Sequence, residues 1–105
     1  MEKKQLKILH EFAGKVRVRY PGAKIFAFGS RAKGIASPQS DLDICVVLPR
    51  MESEDRIAVS DIAWETSLDH DLHLSTVVIP QNDFEQGPLS VSPLVEAVRN
   101  EGVAA

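Results

Sequence analysis

From Asp41 to Leu48 the chain reads Asp-Leu-Asp-Ile-Cys-Val-Val-Leu, and this segment constrains the fold more than any other. Ile44 to Leu48 are apolar without a break. A strand with one face in water alternates apolar and polar residues, so an unbroken run marks a strand covered on both faces. Pro49 closes it, because proline cannot donate to a sheet ladder. The rest of the chain must then supply neighbouring strands and helices to cover them.

Those elements are legible in the pattern. Leu6, Leu9, Ala13, Val16 and Tyr20 recur at spacings of three and four, the stripe of a helix over Lys3 to Tyr20 that Pro21-Gly22 stops. Ala23 to Phe28 is an apolar, partly aromatic run of strand length. Residues 29–40 are rich in Gly, Ser and basic residues and read as a loop, with room for one helical turn at Arg31 to Lys33. Ser53 to Leu68 reads as the second helix, with Ser53 as N-cap and Glu54 and Asp55 in the first turn. Its apolar face is Ile57, Ile62 and Leu68, with Ala58 and either Trp64 or Glu65. Leu72 to Ile79 is the third strand, ended by Pro80. A loop leads to a last helix that starts at Ser92-Pro93 and stops at Gly102. This order predicts an α+β (α/β) fold, a mixed sheet with helices packed on one face.

A chain of 105 residues is expected to form one domain, residues 1–105. A formal charge of −3 argues against a grip on nucleic acid, which needs clustered Lys and Arg. No apolar run has the length of a membrane span, and Met1 to Gln5 lacks the apolar segment of a signal peptide. The single cysteine, Cys45, excludes an internal disulfide and a multi-cysteine metal site, which makes the expected setting cytoplasmic.

The chemistry concentrates in two places. Asp41 and Asp43 are two apart in a strand, so their carboxylates leave the same face. Two like charges at the mouth of an apolar strand are stabilised by a cation between them. With oxygen ligands and no Cys or His cluster, the cation indicated is Mg²⁺. The second place is Gly29-Ser30, a tight turn after a strand that lets backbone N–H groups approach an anion. Arg31 and Lys33 add positive charge beside it, though both also fit as solvated loop charges or as partners of nearby acids. Gly29 and Gly34 bracket four residues as in a P-loop, but Ile35-Ala36 follows where Lys and Ser or Thr are required, so that reading fails. A phosphate cradle beside a metal site is what phosphoryl or nucleotidyl transfer requires.

The string Phe28-Gly29-Ser30, a spacer over residues 31–40, then Asp41-Leu42-Asp43-Ile44, resembles the nucleotidyltransferase signature of the DNA polymerase beta superfamily. The wider stretch from Gly29 to Leu48 looks like the minimal nucleotidyltransferases. The resemblance implies that Gly29 and Ser30, with Arg31 and Lys33 nearby, hold the triphosphate of a nucleotide, ATP in the common case. It implies that Asp41 and Asp43 bind Mg²⁺, with two ions expected, and that a nucleoside monophosphate passes to an acceptor. Such proteins are commonly encoded beside a small helical HEPN-domain protein, as toxin–antitoxin pairs, so the resemblance implies a protein partner; self-association stays open. The alternative is a binding module that neutralises its partner by occlusion, with weak or absent catalysis.

One departure stands out. The family usually carries a third acid on the next strand, and here Leu72 to Ile79 holds none. Counting back from Pro80, the family position falls near Ser75 or Thr76, whereas the nearest acids are Asp71 and Asp69. Asp71 is carried over as the third catalytic carboxylate on that basis. Asp69, His70, Asp71 and His73 suggest a transition-metal site less than they suggest a surface loop. Cys45, Phe26 and Phe28 read as core, and Trp64 as core in preference to an exposed anchor.

Overall fold

The computed structural model describes residues 1–105. Helix α1 spans Lys3–Arg19, strand β1 Lys24–Phe28, helix α2 Gly29–Lys33 and strand β2 Leu42–Leu48. Helix α3 spans Asp55–His70, strand β3 Leu74–Pro80 and helix α4 Gln81–Glu85. A 3-10 turn at Pro88–Val91, helix α5 over Pro93–Glu101 and a short strand β4 at Val103–Ala104 complete the chain. The sheet order is β3-β2-β1-β4. β1 runs antiparallel to β2 and β4, while β2 and β3 are parallel, so the expected mixed sheet is present.

β2 is an inner strand of that sheet, and all of Ile44 to Leu48 are buried. Its even-numbered side chains, Leu42, Ile44, Val46 and Leu48, join the larger core with Ile8, Leu9, Phe12 and Val16 of α1 and Val59 and Ala63 of α3. Its odd-numbered side chains, Cys45 and Val47, join a smaller core with Ile79, Phe84, Val95 and Val98. Helices on one face therefore describes the long pair, α1 and α3. The opposite face is covered by α4 and α5, which the uninterrupted apolar run of β2 demands. The Phe84 ring stacks on Phe26 at 6.0 Å between centroids, and Arg99 lies over Phe84 while its guanidinium donates to the Phe84 carbonyl.

Several element ends differ from the sequence expectation. α3 starts at Asp55, and its N-cap position, Glu54, makes no side-chain cap bond. The Ser53 hydroxyl bonds Glu54 instead, while Asp55 accepts from the Glu52 N–H and the Tyr20 hydroxyl and so fixes the start. α4 and β4 are too short to leave a periodic signature. The final helix matches closely: the Ser92 hydroxyl accepts from the Val95 N–H, Pro93 begins the helix and Gly102 ends it. No helix is long and apolar enough to cross a membrane.

The face of α3 matches the expectation only in part: Ala58 is buried and Ile62 packs against the core, but the bulkier members of the stripe do not. Its buried side chains are Ala58, Val59, Ala63, Thr66 and Ser67, mostly small. Ile57, Trp64 and Leu68, taken from the sequence as core, are exposed. Thr66 and Ser67 reach the interior because their hydroxyls donate to the carbonyls of Ile62 and Ala63, and Ser67 also accepts from the Leu74 N–H.

Cys45 is fully buried, and burial pushes its thiol up to about 11. Native protein should leave this thiol unlabelled by a thiol-reactive chromophore at neutral pH, with full labelling only in denaturant. Stoichiometric labelling of the native state would contradict the packing of the smaller core.

Candidate active site

The site grows from the junction of β1 with α2. Phe28, the last residue of β1, lies opposite Asp43 of β2 in the antiparallel register. The chain then turns at Gly29 with φ of +75°, a conformation in which an L side chain is strained. A Cβ on Gly29 would also fall 2.6 Å from Asp43 Oδ2. Glycine is thus required twice over, once by the backbone angle and once by the carboxylate against it. α2 begins at this turn, and the first N–H groups of a helix have no intrahelical partner. Gly29 and Ser30 bring such donors to the end of β2 that carries the acids.

Asp41 immediately precedes β2 and is exposed, whereas Asp43 lies within the strand and is half-buried. Burial raises the Asp43 carboxyl above its ordinary range, and the charge of Asp41 raises it further. No Lys, Arg or His forms an ion pair with either aspartate. Two close carboxylates with no cationic side chain, one of them partly desolvated, form an oxygen donor set suited to a hard divalent cation such as Mg²⁺. The residues present therefore fit the group that the sequence implied.

Arg31 and Lys33 are engaged elsewhere. Arg31 is only 8% exposed, and its guanidinium donates to the carbonyls of Ser40 at 2.8 Å and Pro38 at 3.3 Å. It clamps the connection from α2 to β2 and so sets where Asp41 stands. Lys33 pairs with Glu101 at 3.1 Å, tying α2 to the end of α5. Lys33 thus pairs with an acid, whereas Arg31 bonds backbone carbonyls and forms no ion pair. The clamp was missed because nothing in the residue pattern announces that an arginine will bond carbonyls.

Asp71 is not brought to the pair. It ends α3 in the left-handed conformation, φ 50°, and borders a groove of about 160 Å³ with Glu2, Gln5, Ile8, Arg31 and Leu72. α1 supplies part of that groove and packs on the opposite face of the sheet from Asp43. No three residues among His, Cys, Asp and Glu cluster closely enough to share a metal ion. Asp69 lies 3.6 Å from Lys15, His70 contacts Glu11 at 2.9 Å, and His73 is exposed. The parallel register places Ser75 of β3 directly opposite Asp43, on the same face. The position beside the acid pair thus carries a hydroxyl, one of the two residues reached by counting back from Pro80. A larger groove, about 460 Å³, lies between the start of α1 and the residues 34–38 and includes neither Gly29 nor the aspartates. At the aspartate site Asp41 is exposed and Asp43 half-buried.

Comparison with known proteins bears on this arrangement. Residues 9–102 match the family model described as the nucleotidyltransferase domain, so the chain belongs to that family. No curated protein matches the sequence. Among solved structures, a candidate nucleotidyltransferase from Sulfolobus solfataricus is similar with a TM-score of 0.60 at 21% identity, over 96% of this chain and 78% of that one. A toxin–antitoxin crystallised with AMP-PNP is similar with a TM-score of 0.62 at 21% identity, over 90% of this chain and 69% of that one. A mutant of the toxin–antitoxin MntA-HpeT gives 0.56 at 22% identity, over 100% of this chain and 71% of that one. At these identities the likeness is one of fold.

Two outcomes follow from the geometry. Gly29→Ala should lower stability by about 1–3 kcal/mol, read as a fall in Tm, because it combines a strained backbone with a clash. Asp43→Asn should act in the opposite direction. A carboxyl raised in the folded state opposes folding once ionised, so the penalty is absent well below pH 4 and present at neutral pH. The amide removes it, and Tm should rise by a few degrees at pH 7 and stay unchanged near about pH 3. A fall in Tm at pH 7 would contradict an Asp43 carboxylate that is desolvated and unpaired.

Proposed function

We propose that this nucleotidyltransferase-domain protein, acting as one domain over residues 1–105, transfers a nucleoside monophosphate from a nucleoside triphosphate, ATP foremost, to a protein acceptor. The observation that carries the reading is the contact of the Gly29 turn with Asp43, which sets backbone donors and paired acids side by side. The amide groups of Gly29 and Ser30 hold phosphate oxygens, and the Ser30 hydroxyl adds a donor. Asp41 and Asp43 would hold Mg²⁺, with two ions expected from the family resemblance. When bound, the metal neutralises triphosphate charge and polarises the α-phosphorus. An acceptor hydroxyl oxygen bonds to the α-phosphorus, the bond to the β-phosphate oxygen breaks, and pyrophosphate departs.

The proton of that hydroxyl must leave as well. Ser75, opposite Asp43, has no basicity at neutral pH, and Asp71 stands in a different groove. It passes to water or to a group that the acceptor brings, and the chemistry is slow without one. This is the specific ground for the second reading, an antitoxin-type module that neutralises its partner chiefly by binding. In both readings the partner is a small helical protein of the HEPN kind, as the toxin–antitoxin likeness suggests, and the setting is cytoplasmic. Arg31 and Lys33 serve the site by positioning its backbone and leave the phosphate contacts to Gly29 and Ser30.

Labelled ATP, Mg²⁺ and a co-encoded helical neighbour should give covalent label on the neighbour, and chelation of the metal should abolish it. Asp41→Asn and Asp43→Asn should each reduce transfer by about a hundredfold or more. Ser75→Asp, which restores a carboxylate beside the pair, should tighten Mn²⁺ binding and speed transfer. Label that survives both asparagine substitutions would reject the assigned metal site. Tight complex formation with no label would favour the binding module.

A further inference from the structure

We propose that the outward face of α3 docks a helix of the partner protein, one carrying an apolar ridge bordered by a row of Lys or Arg. Ile57, Trp64 and Leu68 are 66%, 61% and 65% exposed and stand at i, i+7 and i+11, one face of the helix. They lie roughly 180° around α3 from the buried Val59 and Thr66, so no adjustment within the fold covers them. A helix with its largest apolar side chains in water and its small ones inside gains nothing from that arrangement on its own. The ridge-and-flank pattern is that of a helix laid into another helical surface.

Charge selects among occupants. Asp61 lies within the ridge and Glu65 beside it, both exposed. Asp61 has no ion-pair partner, and Glu65 shares its one cation, Lys15, with Glu11 and Asp69. Two copies paired antiparallel through α3 would set acidic row against acidic row, in a chain that already carries −3. A basic row on a different protein complements it. The inference rests on the proposal that the chain works against a protein partner, and it names the chemistry of the surface that meets it. It places recognition on the face that carries α1 and α3, away from the face on which Asp43 projects.

Trp64 is the only tryptophan, so its emission reads the ridge directly. The probes are two synthetic helical peptides of about 21 residues with the same leucine ridge, one bordered by Lys and one by Glu. The Lys-bordered peptide should shift Trp64 emission to the blue and saturate, and the Glu-bordered one should not. Asp61→Lys combined with Glu65→Lys, checked for native circular dichroism, should weaken the first peptide about tenfold or more and gain binding to the second. Unchanged preference in that variant would overturn the proposal, as would a Trp64 signal unmoved by either peptide. A dimer in sedimentation with Trp64 already shielded would overturn it in favour of a second copy. The Asp43→Asn protein should bind the peptides as the native chain does. With the native chain, docking without any transfer of label counts against the catalytic reading alone, and transfer of label without docking counts against the docking face alone.

Discussion

The structure depends on burying β2 from both sides. Five consecutive apolar residues, Ile44 to Leu48, are buried in a chain of 105 residues, which forces helices onto both faces of a four-stranded sheet. The larger layer, α1 and α3, covers one face, and α4 with α5 covers the other. What this leaves uncovered is the end of β2 where it begins, and there the chain places Asp41 and Asp43. Charged groups gather at the one point of the strand where the packing stops, and the desolvation of Asp43 measures how near that limit it stands.

The strands, the long helices and the paired acids were legible because each leaves a periodic or punctuated trace. The unbroken run of β2, the Ser92-Pro93 start and the Gly102 stop are local chemistry, and local chemistry survives folding. The fold family was legible for the same reason, since Gly29-Ser30 and Asp41-Leu42-Asp43 are held by backbone geometry. Arg31 was not, because a basic residue in a polar loop reads as solvated until its carbonyl partners are seen. The count back from Pro80 did reach Ser75, which β3 sets opposite Asp43, but nothing in the residue pattern placed Asp71 in another groove.

α3 is the sharpest disagreement, and its cause is physical. Periodicity reports that a helix has an apolar side but not which side meets the sheet. Here Ala58, Val59 and Ala63 let α3 approach closely, and hydroxyls of Thr66 and Ser67 satisfy themselves within the helix and at Leu74. Small residues win the interior by fit, and the bulky ones are displaced outward. The helix that reads as ordinary core thereby carries three of the seven large apolar side chains left exposed.

The Arg31 clamp ties the two halves of the site together. The guanidinium springs from the short helix that opens at Gly29 and grips the carbonyls just ahead of Asp41. Any tilt of that helix under an anion is carried through one side chain to the neighbouring acid. Lysine would keep the charge but lose the rigid fork, and with it the link between the start of the short helix and the backbone that carries the carboxylate.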